Sequence, residues 1–91
     1  MILEYSKDFD KSVKKLKDKI ALTRLAKLID ELEKAADLSK ISNVEPIANH
    51  SRMYRITRGD FRLFVEYVKW DINILLLEYV RRNEKTYRNY N

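Results

Sequence analysis

The sequence predicts a single α+β domain. An N-terminal strand is followed by an αα-hairpin packed on one face of a small, mainly antiparallel sheet, with a short helical tail at the C-terminus. Three observations predict it. Two runs of period-two alternation flank Gly59, the only glycine, and read as a β-hairpin because glycine supplies the positive φ that the turn needs. Upstream, apolar residues recur at helical spacing in two successive stretches. Downstream, residues 71–80 form a third apolar run of strand length. At 91 residues the chain is one domain with a modest core.

Residues 1–5, apolar and short, suit a strand. The period then changes: Phe9, Val13, Leu16 and Ile20 recur at helical spacing, with Lys11, Lys14, Lys15 and Lys17 on the remaining, solvated faces. Leu22, Leu25, Leu28, Ile29, Leu32, Ala35 and Ala36 continue a second, more apolar helical stripe. Asp18 is placed to cap that second helix. Residues 37–51, with serines, asparagines and the single Pro46, break any periodicity and form the longest irregular stretch. Leu38, Ile41, Val44 and Ile47 are expected to pin it to the core. In the hairpin, Tyr54 and Ile56 share a face with Phe61, Leu63, Val65 and Tyr67. Arg55 and Arg62 fall close together on the opposite face. Residues 69–71 make a turn, and the strand after it is apolar on both faces over its middle, hence central or covered. Strand parity puts Leu75, Leu77, Tyr79 and Arg81 on one side. The tail, residues 81–91, is polar, basic and aromatic.

Composition narrows the function classes. With 45% hydrophobic residues the chain is globular. No apolar run reaches transmembrane length and no signal-peptide pattern opens the chain, so a cytoplasmic protein is expected. Zero cysteines and one histidine argue against a disulfide framework and a transition-metal site. The net charge of +5 favours a polyanionic or acidic partner. Its distribution is more informative. Residues 1–51 carry ten basic and nine acidic groups, whereas residues 52–91 carry nine and five, including seven of the eight arginines. Arginine offers a rigid fork matched to phosphate and carboxylate, and lysine solubilises helix faces. A scaffold half and a binding half follow. Arg55 and Arg62 repel each other unless an anion sits between them; the alternative is that they pair with Glu66 or Glu78 of the same sheet. His50, just before the arginine-bearing strand, is placed to move protons, though a lone histidine in a polar loop is more often a solvated side chain.

The order of elements, together with Tyr-Arg-Ile-Thr-Arg-Gly-Asp-Phe-Arg at 54–62, resembles the RelE toxin superfamily and its "YRIRxGDYR" signature. The tail from Arg81 to Tyr87 is similar to that family's terminal "RxxxxxY" element, and Phe9, Lys14, Lys15 and Leu16 fit its first helix. The resemblance covers essentially the whole chain. It implies a toxin of a toxin–antitoxin pair that binds an acidic antitoxin as a hetero-oligomer, and that cleaves mRNA on the ribosome without a cofactor. The RNA's own 2′-hydroxyl attacks, leaving a 2′,3′-cyclic phosphate. By position, the resemblance assigns Arg55 to phosphate contact, Arg62 to the scissile phosphate, Arg81 to phosphate binding or leaving-group protonation, and Tyr87 to the general base. Such roles suit preorganised cations facing a developing oxyanion. Where active members often carry a second basic residue, two positions after Arg55, this chain has Thr57. Arg58, Arg82 and Lys85 are further candidates for phosphate binding, but strand parity points Arg58 to the other face, so His50, Lys85 and Arg82 are the residues left to compensate. Two alternatives share the fold: a ParE-like toxin acting on DNA gyrase, and an RNA- or ribosome-binding protein without catalysis.

Overall fold

The computed structural model describes residues 1–69 and 72–83. Strand β1 (Ile2–Tyr5) gives way at Ser6 to helix α1 (Lys7–Lys15). The Ser6 hydroxyl accepts a hydrogen bond from Phe9 N at 2.9 Å and so caps the helix. α1 ends at Leu16, and Asp18 caps α2 (Lys19–Lys34) as the sequence predicts, its carboxylate accepting from Ile20 N at 3.0 Å and Ala21 N at 3.1 Å. The cap restarts the helical phase. Ile20, expected to complete the first apolar stripe, therefore lies in the first turn of α2 and is 66% exposed. Ala21, Leu25, Leu28 and Leu32, spaced i, i+4, i+7 and i+11, form the buried face of α2.

The stretch expected to be irregular holds a 3₁₀ turn (Leu38–Lys40) and a short edge strand, β2 (Val44–Pro46). Three residues ending in proline are too few to show an alternation, which is why the pattern hides this strand. Leu38 and Ile41 are buried in the core, as expected, and the backbone N of Leu38 donates to the Tyr67 hydroxyl at 3.0 Å. Strands β3 (Met53–Arg58) and β4 (Phe61–Lys69) form the predicted hairpin, with Gly59 at φ 57° in a two-residue loop. β5 (Asn73–Arg81) pairs antiparallel with β4 and parallel with β1. The sheet order is β1-β5-β4-β3-β2, so the strand that reads apolar on both faces is an inner one. The predicted turn at Trp70 and Asp71 and the predicted helical tail lie outside the described residues.

Both helices cover one face of the sheet. The core there joins Phe9 and the α2 stripe to Ile56, Phe61, Leu63, Val65, Tyr67, Ile74, Leu76 and Tyr79. A smaller cluster of Ile47, Met53, Phe64, Leu77 and Val80 sits on the other face. Where β1 stops, α1 takes over the edge of β5. The Ser6 hydroxyl donates to Leu77 O at 2.8 Å, and the buried Ser12 hydroxyl accepts from Tyr79 N at 3.0 Å. These contacts satisfy backbone groups that would otherwise be stranded beside a helix.

β5 also departs from simple parity. Phe64 pairs with Glu78, but the next residue, Val65, pairs with Leu76, leaving Leu77 as an extra residue on β5. This bulge reverses the alternation beyond it. Leu75 and Leu77 face the smaller cluster, whereas Tyr79 stacks on Phe61 in the helix-side core, ring centroids 4.9 Å apart. Arg81, expected beside Leu75 and Leu77, therefore emerges on the helix side, paired across the ladder with Phe61.

Candidate functional site

Two of the predicted site residues meet as expected. Arg55 pairs with Phe64 and Arg62 with Thr57, so the two arginines are diagonal neighbours on the sheet face away from the helices. Both are half-buried. Among the described residues the Nε of each is buried with no hydrogen-bond partner. Arg55 Nη2 reaches Glu45 Oε2 on β2 at 3.4 Å, a long contact with the carboxylate side chain 59% exposed. Among the described residues Arg62 forms no ion pair. A buried guanidinium donor left unmatched costs roughly 1–3 kcal/mol, and the second cation one diagonal step away adds repulsion. An anion bound between them removes both penalties at once. Phosphate suits this best, because its several oxygens can take forked donors from two sides.

The bulge sends Arg81 elsewhere. Its guanidinium carbon lies 4.9 Å from the Phe61 ring centroid, and Nη2 is 3.5 Å from the Asp18 carboxylate that caps α2. Arg58 is also on the helix side, as its parity requires. Its Nη1 donates to Ser42 O at 2.9 Å and to Thr57 O at 2.8 Å, and Nη2 is 3.5 Å from Glu31 of α2. Arg82 is exposed, and its backbone N donates to Asp60 O at 2.8 Å at the hairpin loop. His50 lies in the turn between β2 and β3, where its backbone N donates to Ile47 O at 3.2 Å. Lys85 and Tyr87 lie outside the described residues. Among the described residues no group of three or more His, Cys, Asp or Glu is gathered to hold a metal, and no helix is long and apolar enough to cross a membrane.

Sequence reasoning missed Glu45 and Glu31 as acidic partners. Glu45 stands opposite Arg55 only because of the three-residue strand β2, and Glu31 meets Arg58 only once α2 is laid over the sheet. Glu78, one of the two carboxylates expected as alternative partners of the arginines, stands close to them on the sheet. This carboxylate is fully buried, and its ladder partner Phe64 puts it on the same face as Arg55 and Arg62, one diagonal step from Arg62, where it has interactions of its own.

Comparison with known proteins fits this architecture. Three solved toxin–antitoxin complexes contain a chain of similar fold. The RelB–RelE complex from Methanococcus jannaschii matches with TM-score 0.74 and 23% identity, over 87% of this chain and 89% of that one. The archaeal RelE–RelB complex from Pyrococcus horikoshii matches with TM-score 0.69 and 24% identity, over 92% and 97%. The RelBE2 complex from Mycobacterium tuberculosis matches with TM-score 0.59 and 17% identity, over 89% and 96%. No curated protein sequence matches the chain. A family model described as the ParE toxin of the type II toxin–antitoxin system parDE matches residues 3–87. Nearly the whole chain is thus accounted for by one family: it belongs to the ParE toxins of type II toxin–antitoxin systems, within the RelE/ParE superfamily.

Proposed function

We propose that this toxin acts on RNA as a ribosome-dependent endonuclease, with the Arg55–Arg62 pair as its phosphate clamp, and that a cognate acidic antitoxin holds it in check. The observation that supports the reading is the pair of buried, unmatched Nε donors on adjacent strands. In-line attack by a 2′-hydroxyl builds negative charge on the non-bridging oxygens, and donors already fixed there lower the barrier without reorganising. The attacking group belongs to the RNA, so the protein's part is to hold the phosphate and move protons. Arginine, with its very high pKa, is a poor proton donor. Tyr87 is the residue proposed as base, a role for which a phenol, ordinarily of pKa about 10, needs cations beside it. Arg81, directed to the helix side and paired with Asp18, is left out of the clamp.

A second reading, a ParE-like toxin that acts on DNA gyrase, is favoured by the family model itself and by Thr57 standing where a second cation would complete the set. One experiment separates them. Purified toxin is incubated with translating ribosomes and a defined mRNA, and in parallel with gyrase and relaxed plasmid. Cleavage ending in a 2′,3′-cyclic phosphate, lost in Arg62→Ala and Tyr87→Phe, supports the first reading. Intact mRNA together with inhibited supercoiling replaces it with the second.

A further inference from the structure

The arginines fall on two faces, and the helix-side set forms a second basic surface. α2 presents Ile20, Arg24, Lys27 and Glu31 at i, i+4, i+7 and i+11, one continuous stripe beside its buried face. The stripe borders a cleft of about 270 Å³ lined by Arg24, Lys27, Glu31, Arg58 and Gly59. Three cations face one carboxylate there. Arg58 Nη2 is buried without a hydrogen bond, in loose ion-pair range of Glu31 at 3.5 Å. Among the described residues Arg24 has no ion pair, and its guanidinium lies over Gly59, where a β-carbon would overlap Nη1. The loop glycine thus does two things: it permits the positive φ and leaves room for the Arg24 guanidinium. The buried Tyr79 phenol registers the same charges, since Arg24 and Arg58 both oppose the rise in its pKa that burial causes.

We propose that this α2 stripe and its cleft are a docking surface for an acidic segment of the antitoxin, separate from the Arg55–Arg62 clamp. The proposal rests on the toxin–antitoxin reading above and names where part of the partner sits. Charge complementarity selects a carboxylate-bearing ligand, with one acidic side chain entering the cleft to take Arg24 and the unmatched Arg58 Nη2. Ile20 selects protein over nucleic acid. At 66% exposure it is a large apolar side chain one turn from the cations, and it gains from covering by an apolar side chain but not from a phosphate backbone. A partner held here grips the toxin without relying on the cations that bind substrate.

The test is titration of the purified antitoxin from the same operon into the parent toxin and into Arg24→Glu/Lys27→Glu and Ile20→Ser variants. Thermal unfolding checks that each is folded. A single-stranded RNA oligonucleotide serves as the second probe. Should the reversal variant fail to fold, Arg24→Gln/Lys27→Gln replaces it. The expected result is roughly tenfold or greater weakening of antitoxin binding by the charge reversal, a smaller loss for Ile20→Ser, and unchanged RNA binding and cleavage. Equal antitoxin affinity for parent and variants overturns the docking surface while leaving the toxin–antitoxin reading intact. Loss of RNA binding in place of antitoxin binding reassigns the stripe to nucleic acid. If the parent forms no complex with the antitoxin, both the surface and the partner reading fall.

Discussion

Replacing Arg62 with methionine separates what this side chain does for the fold from what it does in the proposed phosphate clamp. Arg62 and Arg55 sit on diagonal ladder positions, roughly 7 Å apart. Two unit charges at that separation and an effective dielectric of about 20 repel by about 2 kcal/mol. Glu45 offsets part of this through its 3.4 Å contact with Arg55. The buried Glu78, one diagonal step from Arg62 on β5, offsets a similar amount, and solvent on the half-exposed side chains screens the rest. The charge balance at Arg62 is therefore close to even. The unmatched Nε adds a desolvation penalty of roughly 1–3 kcal/mol. Methionine keeps the apolar stem that lies beside Val80, its ladder partner, and does not carry that penalty. Allowing for lost packing of the guanidinium, Arg62→Met should stabilise the protein by about 1 kcal/mol. For a domain of this size that raises Tm by roughly 4–8 °C. Thermal unfolding measures it. The same variant should lose roughly 10²–10³ in single-turnover mRNA cleavage. A drop in Tm of several degrees refutes the reasoning, because it means that Arg62 has a native partner and is structural.

Two further outcomes test the scaffold. Leu63→Ala empties a fully buried position on β4 between the sheet and the helices, and equilibrium unfolding in urea should show a loss of roughly 2–5 kcal/mol. Tyr79→Phe removes the hydrogen bond from the phenol to Ala21 O at 2.9 Å, costing about 1 kcal/mol at neutral pH. Burial raises the Tyr79 pKa above the ordinary 10.0, so the unfolded phenol ionises first. The parent should then lose stability as pH rises from 10.0 through the folded value, and the parent-to-variant gap, followed by urea unfolding from about pH 8 to 11, should narrow.

How far the sequence discloses this protein depends on whether a feature is set by local periodicity or by register. The two helices, the Asp18 cap, the hairpin at Gly59 and the inner position of β5 are local, and each is visible in spacing or in a residue's intrinsic preference. Arg55 and Arg62 share a face because β3 and β4 pair without interruption from Met53–Glu66 to Arg58–Phe61, so parity carries the prediction correctly across the loop. On β5 the same rule fails at one residue. Nothing in the run Ile74-Leu75-Leu76-Leu77 marks which leucine is the extra one, since every candidate is apolar and both faces of the strand are covered. A bulge there is decided by the fit of β5 between β4 and α1, where the Ser6 and Ser12 hydroxyls take the backbone of Leu77 and Tyr79. The consequence reaches function. With the alternation reversed, Tyr79 becomes a core residue under α2 and Arg81 joins Asp18, so the arginines of the second half divide between two faces of the sheet. On the proposed reading the toxin holds an anionic substrate and an acidic inhibitor, and a single basic face would make the two compete at every contact. Division between the faces leaves the clamp on one side and allows an acidic partner a separate hold on the other.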